Sequence, residues 1–540
     1  MPDVTPPLPQ MLLDWLPRQR WFPAKGQDVV LRRLGGIRLP DPGGKTALAV
    51  HIVAVHTGKQ AYVVNVPVSL RDTPLEGAEQ GLIGELNAGG DGASRRWLYD
   101  GAYDPLFVAA WLEMMRSGTG TRNGLCRGHA GSGFERWPRF DEPLKTKVLA
   151  GEQSNTSVVV ETGRTPLIVK FFRVLEAGAN PDVEIGARLS ELDSADVPAT
   201  YGWVTGGWLT PGQADDDGAD PLWDTGHLSV LREFIPDSED AWRTASSAAV
   251  ANEDFTAQAR GLGAVTGRIH RQLRQAFGSR SATREELAAL VDDLADRIRW
   301  GWAQAGAVVG PLDEAIEDVL KRLAELPQAA ERPELQRIHA DYHLGQVLHS
   351  KDRGWVVLDF EGEPLRPLDS RGTDDVALRD VVGMLRSFDY AAGVALLAAR
   401  EDRKDGAEAA AAEWAAATKA AFIDGYEAET GSTVDTSAPL FVGLWLDKAL
   451  YEVVYEQRNR PQWVEVPVQA VRHELERISQ TTTDEEQDVE ARTGPKPNPS
   501  GKNGPAGKNA GARPEPAAGS PAGLEPVSGA VPGSAPAAVV

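Results

Sequence analysis

Residues 337–364 read RIHADYHLGQVLHSKDRGWVVLDFEGEP, and this stretch decides the fold. Its pattern predicts a short apolar strand end and a tight polar loop, then a charged turn and a second strand over residues 355–358. Three oxygen-bearing side chains stand out in it, namely Asp341, Gln346 and Asp359. Phosphoryl transfer from a nucleotide needs a carboxylate beside the attacking hydroxyl group and hard oxygen ligands for Mg²⁺ at the phosphates. A loop aspartate, a loop amide and a strand-end aspartate can supply both.

The order and spacing of these residues resemble the H-x-D-x-x-x-x-N … D-x-x-G pattern of eukaryotic-like kinases. Gln346 stands in place of the asparagine, and residues 359–362, DFEG, stand in place of D-F-G. Two other interpretations stay open for the same residues. An isolated His-x-Asp-x-His is often a polar turn without chemistry, and His339, Asp341 and His343 could instead be ligands of a metal-dependent hydrolase.

Composition and charge restrict the classes of function. The chain has 540 residues, which predicts two or three domains, and a formal net charge of -22 from 56 basic and 78 acidic residues. Such an acidic surface repels phosphate backbones and anionic lipids, so we expect neither a nucleic acid nor a membrane as partner. The single cysteine, Cys126, excludes an intramolecular disulfide framework. No apolar run of membrane-spanning length and no signal-peptide pattern is visible, so we expect a soluble cytoplasmic protein.

Four segments differ in pattern. Residues 1–120 predict a small α/β unit, because β-rich runs alternate with glycine-rich turns. Successive short strands follow over residues 121–235, and apolar residues at helical spacing dominate residues 236–478. Residues 479–540 contain no aromatic residue and are rich in Pro, Gly, Ala and Ser. This last segment cannot bury enough apolar surface to offset the entropy of ordering, so we expect a disordered tail.

A candidate phosphate-binding apparatus lies in the β-rich segment. Residues 151–157, GEQSNTS, form a turn between two predicted strands, where hydroxyl and backbone N–H groups of Ser154, Asn155 and Thr156 can close over phosphates. No Walker A motif is present. Lys170 ends an apolar strand, where a charged side chain is unexpected unless it has a specific role.

The partner of that lysine is expected on the next helix. Asn180 and Pro181 predict the start of this helix, with Glu184 one turn in. A strand lysine paired with a helix glutamate holds α- and β-phosphate oxygens in kinase-like folds. We therefore predict a Lys170–Glu184 pair at the phosphates, while most strand-end lysines merely reach solvent.

Two further regions have candidate roles. The strand HLSVLREFIP, residues 227–236, occupies the place of a kinase hinge, where backbone groups between Glu233 and Ile235 would meet the adenine edge. Asp380 in an apolar helix favours a structural role, holding the loop around Asp341 by hydrogen bonds to its backbone. The helix over residues 441–459 has a polar-aromatic face. Such a face is more often an exterior, but it would also suit a sugar.

Six stretches together resemble the actinobacterial maltokinases, which belong to the aminoglycoside-phosphotransferase and kinase-like superfamily. These stretches are LPRQRWFPAKG (16–26), GEQSNTS (151–157), IHADYHLGQVL (338–348), VVLDFEGEPLRPL (356–368), ALRDVVGMLRSFDYAAG (377–393) and KALYEVVYEQRNRPQW (448–463). They extend over residues 16 to about 476 and leave out only the tail. Ala340 stands where glycine is common in such motifs, and its small side chain should still fit.

The resemblance implies an α+β, bilobal kinase-like fold with an N-terminal α/β cap, a β-rich intermediate subdomain, a mostly helical C-lobe and a disordered C-terminal tail. It implies ATP-dependent phosphorylation of maltose at the anomeric hydroxyl group. The product, maltose 1-phosphate, would feed α-glucan (glycogen) synthesis from trehalose. The cofactors would be ATP and Mg²⁺, and association with trehalose synthase would be possible.

The resemblance also implies residue roles. Asp341 would orient the attacking sugar hydroxyl group and accept its proton. Gln346 and Asp359 would hold Mg²⁺ with help from Glu361, and Lys170 would neutralise phosphate charge. The residues expected on the sugar side are His343, Lys448, Tyr455 and Arg458.

Three rival functions stay open at this point. A kinase for another sugar, such as glucosamine or an aminoglycoside, would share every residue on the ATP side, and the acidic surface favours a cationic substrate. A binding-only pseudokinase is disfavoured because Lys170, Asp341, Gln346 and Asp359 are all present. A metal-dependent hydrolase would act without ATP.

Overall fold

The computed structural model describes residues 8–478 except 42–45, 59, 88–94, 122–124, 141–142, 150–153, 164, 212–221, 363–367 and 402–405. Two compact units can be distinguished, Met1–Arg472 and His473–Val540. In the second unit the described residues, 473–478, are helical. The predicted tail, 479–540, lies outside the described residues. The predicted α+β architecture, with a cap, a β-rich part and a helical part, is confirmed in the first unit.

The cap is one antiparallel sheet between two helices. Its elements are α1 (Leu8–Trp15), β1 (Val30–Leu39), β2 (Ala47–His56), β3 (Ala61–Arg71), β4 (Leu82–Asn87), β5 (Arg95–Asp100) and α2 (Pro105–Ser117). The strands of this cap sheet lie in the order β1-β2-β3-β5-β4. Because strand side chains alternate between faces, β-branched runs such as β2 fill both sides of the sheet. Trp15 and Trp21 pack on one face with valines of β2 and β3.

A second, central sheet follows the cap. Its strands are β6 (Cys126–Ala130), β7 (Lys145–Val148), β8 (Asn155–Glu161), β9 (Leu167–Phe172), β11 (Thr200–Leu209) and β12 (Trp223–Glu233), in the order β6-β11-β12-β9-β8-β7. The short strand β10 (Val174–Leu175) instead pairs with β3 of the cap. The helix α3 (Pro181–Glu191) begins at an Asn180 cap, whose side chain accepts a hydrogen bond from the Asp182 N–H.

The other face of the cap sheet and α2 share one apolar core with the central sheet. Phe107 and Trp111 of α2 lie in it with Phe171 of β9, and so do Ile52 of β2 and Trp208 of β11. The apolar residues of β9 alternate with Lys170, which therefore points away from this core.

The remaining chain of the first unit is mostly helical and carries two small sheets. The helices are α4 (Ala241–Ala251), α5 (Thr256–Phe277), α6 (Arg284–Val309), α7 (Asp313–Glu325), α8 (Leu368–Arg371), α9 (Leu378–Glu401), α10 (Ala407–Thr430) and α11 (Pro439–Asn459). Strands β13 (Ser238–Asp240), β16 (Val347–Ser350) and β17 (Gly354–Val357) form one sheet, and β14 (Ser279–Ser281), β15 (Glu334–Gln336) and β18 (Asp375–Val376) form the other. Residues 465–472 are also helical.

Helix α9 is the one described helix that is long and apolar enough to cross a membrane, over Leu378–Ala399. More than half of that window, 56%, is buried inside the protein. Its Arg386 is 1% exposed and forms an ion pair with Glu452 of α11. These contacts identify α9 as a core helix of the helical part.

Candidate active site

The hairpin β16–β17 brings two of the predicted metal ligands together. Val347 faces Val357 in the register of the hairpin, and one residue further the Leu358 N–H donates to the Gln346 carbonyl oxygen at 2.8 Å. Asp359 follows directly, with a φ of 62° in the left-handed region. The hairpin therefore places Gln346 beside Asp359, as the sequence spacing predicts.

The loop that carries Asp341 is held by hydrogen bonds to the side chain of Asp380 in α9. The buried Asp380 carboxylate accepts hydrogen bonds from the His339 N–H at 2.7 Å and the Ala340 N–H at 2.9 Å. Its third contact is His270 Nε2, at 3.0 Å. Burial alone would raise the pKa of Asp380, but the His270 hydrogen bond and charge hold it below its usual value. The predicted structural role of Asp380 is confirmed.

The histidines of the His-x-Asp-x-His motif are engaged with backbone. His339 Nε2 lies 2.8 Å from the Leu358 carbonyl oxygen, and its Nδ1 accepts from the Asp341 N–H at 3.4 Å. His343 Nδ1 accepts from the Gly345 N–H at 3.0 Å. Both ring nitrogens of His339 are thus used to shape the loop, which argues against this histidine as one of the three ligands of the metal-hydrolase interpretation.

Lys170 of β9 reaches the end of the hairpin. Its Nζ donates to Asp359 Oδ1 and to Glu361 Oε1, each at 2.7 Å, and lies 3.9 Å from Asp182 Oδ2. The lysine side chain is 17% exposed, against 36% for Asp359 and 25% for Glu361, so these contacts are only partly shielded from water. One strand of the central sheet and one hairpin of the helical part therefore meet at a single ammonium group.

Asp182 holds this cluster together from the first turn of α3. It is fully buried, and its Oδ1 accepts from the Phe360 N–H at 2.8 Å and pairs with Arg232 at 2.9 Å. Among the described residues, its Oδ2 has no hydrogen-bond partner. A buried carboxylate oxygen without a donor is costly unless a cation lies near it, and here the Lys170 ammonium group lies 3.9 Å from Asp182 Oδ2.

The predicted Lys170–Glu184 pair is therefore corrected to Lys170–Asp182. Glu184 is 42% exposed and lies 3.4 Å from Arg337. Positions 182 and 184 differ by about 200° around a helix, so only one of them can face the strand lysine.

The two carboxylates that Lys170 contacts differ in acidity. Burial works against ionisation of both, but the Lys170 ammonium keeps the pKa of Asp359 below its usual value. Burial instead raises the pKa of Glu361 to about 7, because Lys170 only partly offsets it and the Asp359 charge adds to it. Near neutral pH this site therefore holds one firmly ionised carboxylate and one that titrates.

The same carboxylates could hold a metal ion. One oxygen from each of Asp182, Asp359 and Glu361 lies within 4.8 Å of the others, and Gln346 is next to Asp359. Hard oxygen ligands of this kind are those that Mg²⁺ prefers. The unsatisfied Asp182 Oδ2 adds a buried negative atom that fits a cation, so the residues present fit Mg²⁺.

The predicted phosphate loop is only partly described, because residues 150–153 lie outside the described chain. Ser154 is exposed, and Asn155 donates to its hydroxyl group at 3.2 Å. Thr156 is buried, and its Oγ1 accepts from Arg173 Nε at 2.8 Å. Its side chain therefore points into the junction with the cap, in contrast to the predicted phosphate-binding role.

The predicted hinge residues Glu233 and Ile235 differ in how their backbone N–H groups are hydrogen-bonded. The Glu233 N–H donates to the Ala199 carbonyl oxygen, and the Glu233 carboxylate pairs with Arg353 at 2.5 Å. The Ile235 carbonyl oxygen accepts from Ser238, whereas no hydrogen bond within the described chain reaches the Ile235 N–H. Among the described contacts, the Glu233 N–H is therefore engaged and the Ile235 N–H is not, and adenine binding at Ile235 stays a prediction.

Two of the predicted sugar-side residues lie by the catalytic loop. Burial lowers the pKa of His343, and the charges that act on it include those of Asp341 and Lys448. Lys448 of α11 is thus close enough to the loop to influence it. Tyr455, two turns further along α11, stacks on Tyr451 with ring centres 6.4 Å apart.

Arg458 lies elsewhere. It is exposed, its guanidinium group sits 6.0 Å above the Trp300 ring, and it reaches Gln304 at 3.5 Å. Trp300 itself is 46% exposed on α6. The described contacts of Arg458 thus belong to an outer surface, and the structure does not bring this residue to Asp341.

A buried charge network beside Lys448 was missed by sequence reasoning. Arg386 pairs with Glu452 at 2.7 Å and with Asp389 at 2.8 Å, and Lys419 pairs with Asp389 at 2.6 Å. Glu452 lies one turn after Lys448, so both are on one face of α11. The signal for Arg386 and Asp389 was a charged pair three residues apart within an otherwise apolar helix.

The sequence of this chain matches two family models and is similar to those of two glucosamine kinases. The model of the maltokinase N-terminal cap domain matches residues 15–104, and the model of the phosphotransferase enzyme family matches residues 145–416. A glucosamine kinase from Streptacidiphilus jiangxiensis is 29% identical over 334 residues, 58% of this chain and 70% of that protein. A glucosamine kinase from Mycolicibacterium smegmatis is 29% identical over 332 residues, 58% of this chain and 76% of that protein.

The fold is also shared with a solved structure. Glucosamine kinase in complex with glucosamine, ADP and inorganic phosphate superposes with a TM-score of 0.57 at 22% sequence identity. The superposition covers 86% of this chain and 99% of that one. The likeness confirms the predicted kinase-like fold, including the cap.

Proposed function

Because this chain belongs to the phosphotransferase enzyme family, we propose that it transfers the γ-phosphate of ATP to the anomeric hydroxyl group of maltose, giving maltose 1-phosphate. The observation that carries the phosphoryl-transfer part is the contact of Lys170 with Asp359 and Glu361 at 2.7 Å, next to Asp182. The match of residues 15–104 to the maltokinase cap supports maltose as the acceptor.

The proposed reaction uses the described geometry directly. Asp341, on the loop held by Asp380, orients the sugar hydroxyl group and accepts its proton as the new O–P bond to the γ-phosphorus forms. The bond from that phosphorus to the β–γ bridging oxygen breaks, and ADP leaves with the electron pair. When the nucleotide binds, the Lys170 ammonium group turns towards the phosphates. It can stay near Asp182, whose Oδ2 lies 3.9 Å from the Lys170 Nζ.

Mg²⁺ would neutralise the charge on the phosphate oxygens, and the residues that would hold it are Gln346, Asp359 and Glu361. Adenine would accept a hydrogen bond from the Ile235 N–H at the hinge. Ser154 and Asn155 remain the candidates for the phosphate loop.

The charge balance on the sugar side supports a neutral acceptor. In the network beside Lys448, two cations, Arg386 and Lys419, oppose two carboxylates, Asp389 and Glu452. The net charge of -22 over the whole chain is therefore not concentrated here. These side chains are largely buried and paired with one another, so the network leaves no excess negative charge beside Lys448 to attract an ammonium group.

Glucosamine is the second candidate acceptor, and the names of the similar glucosamine kinases favour it. An assay of coupled ADP release with maltose, glucosamine and glucose separates the two candidates. We expect kcat/KM for maltose to exceed that for glucosamine by on the order of a hundredfold, a difference that several polar contacts can provide. A preference for glucosamine would refute the maltose proposal and retain the kinase.

The product can be checked independently. A phosphorus NMR spectrum should show a phosphate ester on the anomeric carbon, and Lys170→Met protein should give none. ADP release that does not depend on any sugar would refute the proposal of a sugar kinase.

The proposal extends to the supply of maltose 1-phosphate for α-glucan synthesis from trehalose and to association with trehalose synthase. This extension rests on the maltokinase cap. Size-exclusion chromatography of the two purified proteins, separately and mixed, tests the association, and unshifted elution would contradict it.

A further inference from the structure

The cap is fastened to the strand that carries Lys170. Three residues after Lys170, Arg173 is fully buried, and its guanidinium group pairs with Asp100 at the end of β5 in the cap at 2.5 Å. The Arg173 guanidinium also lies 5.0 Å above the ring of Trp21, another cap residue. A buried arginine keeps its charge only where its donors are matched, so this junction has a fixed geometry.

The backbone of the same segment is shared with the cap sheet. The Asn65 N–H in β3 donates to the Arg173 carbonyl oxygen at 2.8 Å, and Asn65 Nδ2 donates to Phe172 at 3.0 Å and to Leu228 at 3.3 Å. The chain then continues as β10, which pairs with β3. One fully buried asparagine therefore ties the end of β9 and the middle of β12 to the cap.

The face of β9 opposite Lys170 also packs against the cap, through helix α2. Phe171, next to Lys170, lies against Phe107 and Trp111 of α2, with ring centres 6.2 and 5.9 Å apart. Trp111 Nε1 donates to the Ser229 hydroxyl group of β12 at 2.7 Å. Lys170 thus stands on a strand whose opposite face and whose end are both set by the cap.

The junction reaches the phosphate loop as well. Arg173 Nε donates to Thr156 Oγ1 at 2.8 Å, and Thr156 follows Ser154 and Asn155 directly. One guanidinium group therefore links the cap to the two segments that we assign to the phosphates.

We infer that Asp100 and Arg173 are positioning residues for nucleotide binding, through which the cap sets the place of Lys170 and of the Ser154–Asn155 turn. This inference rests on the proposed function, because it takes Lys170 as the phosphate-binding lysine. The cap is then a fixed part of the nucleotide site. The contacts described above for Arg173 are with the cap and with β8, whereas the proposed sugar side is built on α9 and α11.

The test replaces the whole ion pair by apolar side chains, Asp100→Leu with Arg173→Met. Removing both partners avoids a lone buried charge and preserves volume. We expect the Kd for MgADP, measured by calorimetry, to rise on the order of tenfold because the lysine is misplaced. The KM for the sugar should change less than twofold. Unchanged MgADP affinity in this variant would overturn the inference and leave only a structural joint.

The matched control is Arg71→Met with Asp104→Asn, which removes both charges of the Arg71–Asp104 ion pair inside the cap and keeps a capping side chain at the start of α2. Asp104 is as buried as Asp100, but its pair contacts neither β8 nor β9. This control should lower Tm and leave the Kd for MgADP unchanged well below Tm. A weaker MgADP affinity in the control as well would show that any loosened cap has this effect, against a specific role of Arg173.

If the double variant fails to fold, hydrogen exchange on the wild-type protein decides. MgADP should slow exchange of the Asn65 amide in β3, because that amide is bonded to the segment that follows Lys170. Exchange unaffected by MgADP would refute the inference. Wild-type protein that binds no MgADP would refute the proposed function itself, which distinguishes the two failures.

Discussion

The substitution Asp380→Asn should disable the catalytic loop without touching the nucleotide site. The carboxylate makes three contacts, with the His339 N–H, the Ala340 N–H and His270 Nε2. An asparagine keeps one acceptor oxygen and turns the other into an NH₂ group. That group must then face a backbone N–H, whichever way the side chain is flipped.

The magnitude follows from these contacts. Ala340 has a φ of 67°, a left-handed conformation that costs a non-glycine residue about 1–2 kcal/mol and that the Asp380 hydrogen bond helps to hold. A buried N–H without an acceptor costs about 1–3 kcal/mol. Together these effects should favour other loop conformations by about 2–3 kcal/mol, which corresponds to a fall in kcat of about 30- to 150-fold.

The assay separates the loop from the nucleotide site. Coupled ADP release gives kcat and both KM values. Calorimetry gives the Kd for MgADP, which should stay within twofold because the hydrogen bonds described for Asp380 go to His270, His339 and Ala340. The matched control is Asp375→Asn, since Asp375 is an acidic residue five positions earlier, in β18, that pairs with Arg379. A kcat within threefold of the wild-type value would refute the reasoning.

Three further changes have expected outcomes. Asp359→Asn should lower kcat by on the order of a thousandfold, because it removes an ionised metal ligand, and a near-normal kcat with Mg²⁺ would contradict that role. The pKa of Glu361 is raised from 4.5 to about 7 in the folded state, so without metal the stability contributed by this group should fall as pH rises through that window. Tm against pH in a chelating buffer should show this fall for the wild type and not for Glu361→Gln. Lys448→Met should raise the KM for sugar and spare the KM for ATP, whereas Arg458→Ala should change neither, and the reverse order would contradict the placement by the catalytic loop.

Much of the catalytic loop could be predicted because its chemistry is local in sequence. The distance from Asp341 to Asp359 spans one hairpin, so the order of residues fixes which of them meet. The role of Asp380 could also be predicted. A buried carboxylate in an apolar helix needs hydrogen-bond donors, and a tight loop supplies backbone N–H groups that have no secondary-structure partner. Such roles follow from residue type and spacing.

The structure was needed to decide whether Asp182 or Glu184 lies by Lys170, although the sequence contained an indication. Asp182 shares a helix face with Ile185, Gly186 and Leu189, the apolar positions at spacings of three, four and seven. A side chain at Gly186 would come within 2.9 Å of Arg232, the residue that pairs with Asp182. The glutamate was favoured by analogy with a lysine–glutamate pair, whereas the apolar periodicity favoured the aspartate.

Thr156, Glu233 and Arg458 show what sequence patterns leave undetermined. A threonine beside a turn has equal reason to face a ligand or the core, and only the buried Arg173 from another strand decides for the core. The backbone N–H of Glu233 is used up by Ala199, a partner distant in sequence that no local pattern reveals. Arg458 is attracted by the exposed ring of Trp300 on α6, so its position depends on a neighbouring helix.

The charges in the cluster around Lys170 are unequal, which favours the cation that the proposed function requires. Three carboxylates, Asp182, Asp359 and Glu361, face two cations, Lys170 and Arg232. The excess negative charge is relieved by keeping a proton on Glu361, whose pKa lies near 7. When phosphates draw Lys170 away, the imbalance grows, and only a cation that coordinates oxygen can restore it. The cluster is thus nearly balanced without ligands, and under the proposed function we expect metal and nucleotide to bind together once the lysine engages the phosphates.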